Sequence, residues 1–126
     1  MLGKRSLLIL SVLVVGSISL LAKDKPVSFT GWVSDEHCGA LHTKRGGGDC
    51  VRKCIKGGQE AGHPEWKPQR VVIVSDGDNK IWFVTNPGVL RGLEGEHVRV
   101  MGRMDGEKNS LHVASAVTFL GEDEKQ

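Results

Sequence analysis

The sequence predicts a mainly β domain, a small five-stranded OB-like barrel or an open sheet of the same strands, with a short cysteine-bearing helix inserted between the first and second strands. Three observations predict it. Five short stretches are β-branched or alternate apolar with polar residues, turn residues punctuate them, and the one long interval between strands carries all three cysteines of the chain. A small sandwich is the competing architecture.

Val27, Phe29, Gly31 and Val33 alternate with Ser28, Thr30, Trp32 and Ser34, the period of two of a half-buried first strand. Residues 50 to 56 read as a two-turn helix, with Asp49 as its N-cap and Gly57 and Gly58 as its stop, after a flexible joint at Gly46, Gly47 and Gly48. Gly62, Pro64 and Pro68 then mark a loop. Val71 to Ser75 and Ile81 to Thr85 form the second and third strands, joined by Asp76, Gly77, Asp78, Asn79 and Lys80 as hairpin punctuation. Pro87 to Leu93 supports only a short helical turn, closed by Gly92 and Gly95. His97 to Met104 and Leu111 to Phe119 are the fourth and fifth strands, separated by a polar turn. A helical turn between the third and fourth of five strands is the order of an OB-type barrel.

The first 22 residues obey a different grammar. Lys4 and Arg5 precede a 15-residue run, Leu7 to Leu21, interrupted only by Ser11, Gly16, Ser17 and Ser19. That length suits a signal peptide and falls short of the ~18 to 20 residues of a spanning helix. Export to the periplasm or beyond is the expectation, with cleavage after Ala22 or Ser19, no membrane insertion afterwards, and an uncleaved anchor as the lesser alternative. The remainder is long enough for one domain, residues 23–121, followed by an acidic tail over 122–126. Of 17 bases, Lys4 and Arg5 belong to the leader, so the mature chain balances its 15 acids with an equal number of bases. Such neutrality gives no electrostatic reason to expect nucleic acid. Locally the balance is uneven, because Lys44, Arg45, Arg52, Lys53, Lys56, Lys67 and Arg70 surround the cysteines with only Asp49, Glu60 and Glu65 to oppose them.

Cys38, His42, Cys50 and Cys54 carry the chemistry. The members of each pair, Cys38 with His42 and Cys50 with Cys54, are four apart, so on helical backbone they share a face at about 6 Å. Three thiolates and an imidazole suffice for a tetrahedral ion, and soft ligands favour zinc or copper(I) over magnesium or calcium. Asp35 and His37 stand beside the first pair to orient the ligands or replace one. A disulfide joining Cys38 to Cys50 or Cys54 is the competing expectation in an oxidising compartment, leaving one free thiol and a merely stapled envelope binding module. A third is thiol-disulfide exchange through Cys50 and Cys54, their pKa values lowered by Arg52, Lys53, Lys56 and the helix start. Neither Cys-x-x-Cys nor Cys-x-x-Cys-His occurs, so thioredoxin chemistry and haem attachment have no sequence support, and there is no nucleotide loop or nucleophile-base pair. His63, His97 and His112 read as surface or sheet residues, and Trp32, Trp66 and Trp82 as core or loop anchors rather than a stacking platform.

The stretch Gly31 to His42, followed by Cys50-Val51-Arg52-Lys53-Cys54 and a Gly, with a late Val98-Arg99-Val100-Met101-Gly102 strand, resembles an uncharacterised family of small secreted bacterial β-rich proteins. The shared pattern is Gly-x-Val-x-Asp-x-x-Cys, a His, then Cys-x-x-x-Cys. The resemblance implies an exported β domain with a Cys/His motif and brings no established activity, substrate or partner. Residues 60 to 68, with their Pro and Trp, are outside that pattern.

Overall fold

The computed structural model describes residues 24–58 and 62–121; the leader and the acidic tail lie outside the described residues. Five strands, β1 (Asp24–Asp35), β2 (Val71–Ser75), β3 (Ile81–Val84), β4 (His97–Asp105) and β5 (Ser110–Thr118), close into a barrel in the order β1-β2-β3-β5-β4. The predicted helix, α1 (Gly48–Lys56), lies between β1 and β2 after a 3-10 turn at Gly39–His42, and a second 3-10 turn, Pro87–Leu90, separates β3 from β4. The barrel is closed, which decides between the expected barrel and the open sheet.

Closure depends on the length of β1. Its first nine residues pair with β4, from Asp24↔Asp105 to Trp32↔His97, and its last five pair with β2, from Gly31↔Ser75 to Asp35↔Val71. Gly31 and Trp32 therefore pair on both sides, where the strand passes from one partner to the other. A Cβ at Gly31 would stand 2.5 Å from the Val74 carbonyl oxygen, so only glycine allows that approach.

The remaining seam is short. β3 and β5 run parallel through Phe83↔Ser110 and Val84↔Leu111. Asn86 extends it with a side chain, its Nδ2 donating to the Val113 carbonyl at 2.7 Å and its Oδ1 accepting from the Val113 amide at 2.8 Å. β2 and β3 form the expected hairpin, its turn organised by Asp78, which accepts from the Ser75 hydroxyl and the Lys80 amide.

Val33, Ile73, Trp82, Leu90, Val98, Val100, Leu111 and Val113 fill the interior. Alternation explains most of them: Val98 and Val100 face in while Arg99 and Met101 face out. Leu90, from the second 3-10 turn, is buried in the same cluster. No helix among the described residues is long and apolar enough to cross a membrane.

Local boundaries differ from the sequence reading at several elements: β3 ends at Val84, the second 3-10 turn at Leu90 and β4 at Asp105, and β5 runs from Ser110 to Thr118. β1 begins at Asp24 because its edge against β4 stays paired beyond the alternating stretch. The helix begins two residues earlier than predicted, with Gly47 at the cap position, and Asp49 lies in the first turn paired with Arg52 instead of capping. Both positions satisfy the preference for an acid near a helix N-terminus.

Candidate metal centre

Asp35 is the hinge between barrel and site. It is the last residue of β1, fully buried, and its Oδ1 accepts the amides of His37 (3.0 Å) and Cys38 (2.9 Å). A carboxylate that takes two successive amides stops the strand and folds the chain back over it. The Ser34 hydroxyl donates to the Gly39 carbonyl at 2.9 Å and fixes the next turn. Glu36 faces the other way, joined to the Arg70 amide at 2.9 Å and guanidinium at 2.8 Å, which ties this corner to the start of β2. Cys38 and His42 are thus held by the barrel end, while Cys50 and Cys54 come from α1, which buries Val51.

Two groups of donors result, and they share one sulfur. Cys38, His42 and Cys50 form the first, and Asp35, Cys38 and Cys54 the second; within each, the ligand atoms all lie within 4.8 Å of one another. Both are close enough to hold an ion, whose bonds to sulfur and nitrogen run about 2.0 to 2.3 Å. His42 Nε2 and Asp35 Oδ2 are buried with no hydrogen-bond partner. Leaving such atoms unsatisfied costs about 1 to 3 kcal/mol each, and an ion in the first group would partner the His42 imidazole, one in the second the Asp35 carboxylate.

All three cysteines are free thiols, so the expected disulfide is not formed. At Cys54 the electrostatics also correct the expected activation by nearby bases. Burial pushes the Cys38 thiol up, helped by the Asp35 carboxylate and Cys50, and Cys54 is pushed up to about 12 by burial, then by Asp35 and the other two thiols. Arg52 is paired with Asp49, and the two line a different cleft from the thiols.

The outer side of the cluster opens on a cleft of about 660 Å³ lined by Cys38, Cys50 and Cys54 together with His37, Lys53, Trp66 and Gln69. His37, expected to orient the ligands, belongs to the cleft and to neither donor group. The far wall is formed by Glu65, Trp66, Lys67 and Gln69. The Gly58 amide donates to the Trp66 carbonyl at 3.0 Å, the His63 amide to the Gly58 carbonyl at 2.7 Å, and the Gln69 amide to the Cys54 carbonyl at 2.9 Å. A Cβ at Gly58 would lie 2.1 Å from the His63 carbonyl oxygen, so glycine is required for the wall to fold against the helix end. His63 stacks on Trp66 at 3.9 Å.

The other aromatic and imidazole residues are elsewhere. Trp82 is in the core, Trp32 stacks on His97 at 4.6 Å, and His97 bonds Asp76 at 2.6 Å. His112 lies beside the Thr85 hydroxyl at 3.2 Å. Asp35, read from the sequence as a group that could replace a ligand, is indeed placed in a donor group. One feature escaped the sequence reading, the wall formed by Trp66, Lys67 and Gln69, which had no signal beyond loop composition. Compared with known proteins, the chain matches no family model, no curated protein and no solved structure.

Proposed function

We propose that the protein is a small exported metal-binding domain that holds a soft ion, zinc or copper(I), through Cys38, His42, Cys50 and Cys54, with Asp35 positioning Cys38 and available as an alternative ligand. The observation that carries this reading is the pair of unpartnered buried atoms, His42 Nε2 and Asp35 Oδ2, set among mutually close thiols. An ion in either group would ionise its thiols and give that group's imidazole or carboxylate a charge partner. The leader-like start of the chain supports export, and the resemblance to small secreted bacterial proteins points the same way. A partner in the cell envelope is the natural source or recipient of the ion.

Thiol-disulfide exchange through Cys50 and Cys54 is the weaker reading, because Cys54, its pKa pushed up to about 12, stays protonated near neutral pH and attacks disulfides poorly.

Elemental mass analysis of the protein purified from the cell envelope tests the proposal. The expected result is about one ion per chain, abolished in Cys38→Ala, which removes the sulfur common to both groups, and weakened about tenfold or more in His42→Ala, Cys50→Ala and Cys54→Ala. Metal content unchanged in all four variants would overturn it.

A further inference from the structure

We infer that the ion site is an exchange site, in which a small anionic thiol enters the cleft beside Cys50 and takes a coordination position on the ion. This rests on the metal-binding reading above and adds the class of ligand that the site accepts.

The donor cluster has two unlike sides. Asp35 and the Nε2 of His42 are buried, whereas Cys50 is exposed and Cys38 and Cys54 are half-buried, all three facing the cleft. Structural zinc sites are closed on every side by protein; sites that exchange ligands keep one direction open. At about 660 Å³ the opening is within the range of small-molecule sites and far larger than a water needs.

The lining indicates what would enter. A soft ion selects a soft incoming donor, which among common biological groups is a thiolate. Lys53 and Lys67 line the cleft and favour a ligand that is negative elsewhere. Among the described residues Glu65 is the carboxylate on the same lining, and it is directed to His63 Nδ1 at 3.1 Å. Trp66, 55% exposed, supplies an apolar wall against which a short carbon chain can lie. A low-molecular-weight thiol carrying carboxylates satisfies all three features.

The step involves no oxidation. The incoming thiol loses its proton to water as its sulfur bonds the ion, the Cys50 thiolate leaves the ion, and Cys50 takes up a proton. The ion keeps its charge, and Cys38, with the buried groups behind it, retains the ion until a second incoming ligand removes it.

Zinc-loaded protein, mixed rapidly with a chromophoric zinc chelator in the presence of mercaptosuccinate, 2-mercaptoethanol or succinate, tests the inference. Zinc release should accelerate about tenfold or more with mercaptosuccinate and saturate as the ternary complex fills, while succinate leaves it unchanged. In the Lys53→Glu, Lys67→Glu double variant, half-saturation should require about tenfold more mercaptosuccinate, with the 2-mercaptoethanol response unaltered. Both lysines are surface residues, so the variant tests the cleft and leaves the fold alone. Release at one rate whatever the thiol concentration would show a closed site and overturn the inference with metal binding intact. Equal half-saturation for the two thiols would overturn the anionic preference. A chain that takes up no zinc at all overturns the metal-binding reading itself, a result visible before any thiol is added.

Discussion

Glu36 and Arg70 show how one ion pair serves two parts of the structure. The Arg70 guanidinium and amide hold the Glu36 carboxyl below its ordinary value of 4.5, and the same contacts tie the turn carrying Cys38 to the start of β2. Because the folded pKa is the lower one, this stabilisation is complete above 4.5 and is lost as the pH falls through the depressed folded value. Glu36→Gln should therefore melt about 2 to 5 °C below the parent protein at pH 7, corresponding to ~0.5 to 1 kcal/mol. The gap should close in acid, and a gap that stays constant from pH 7 to pH 3 would show that the charge is not its cause. Cys54 illustrates the opposite balance. Burial beside Asp35 favours its neutral thiol in the absence of an ion, and the same position beside the same donors favours its thiolate once a cation is present.

Among the elements, the strands were readable and the site wall was not, for a physical reason. Strand periodicity is a local property: Val98 and Val100 alternate with Arg99 and Met101 whichever strands they meet. The short helix was likewise announced by its flanking glycines, although Asp49 is drawn to Arg52 rather than to the cap. The fold of residues 62 to 69 instead depends on tertiary hydrogen bonds to Gly58 and Cys54, which leave no period behind. The four ligand-type residues could be singled out from spacing, but the sharing of Cys38 between two donor groups arises from the Asp35 turn, a contact between neighbours that composition does not encode. Asn86 belongs with these non-local features. Its amide side chain takes the place of a strand residue beside Val113, and Asn86→Ala should destabilise the protein by about 1 to 3 kcal/mol in urea unfolding, since both Val113 backbone groups lose their partner. An unchanged midpoint would mean that water replaces the amide freely at this seam.

On the scale of the whole molecule, barrel and site are separable. Among the described residues no member of the core cluster is a candidate ligand, and the two units meet through the Asp35 turn at the end of β1 and through Gly48 of α1, packed on Glu94 and Gly95. Removing the ion should then loosen one region and spare the other. In hydrogen exchange of the metal-loaded protein with and without chelator, the amides of Gly39–His42 and Gly48–Lys56 should exchange at least about tenfold faster after chelation, while β2, β4 and β5 keep their protection. Uniform acceleration across the barrel would show instead that metal and fold form one cooperative unit.

The long β1–β4 ladder also imposes an order of events. The β2–β3 and β4–β5 hairpins join neighbours in sequence, but Asp24 must wait for Asp105, which is made near the end of the chain. The end of β1 takes its place separately, by pairing with β2, and until both ladders have formed the barrel end that positions Cys38 is incomplete. On the metal-binding proposal the newly made chain is then in a race: an ion that arrives first would gather the sulfurs and be enclosed as the barrel shuts, whereas an oxidant that arrives first would couple two of them and strand the third. On that proposal the supply of metal at the moment of folding, rather than the finished architecture, decides which form results.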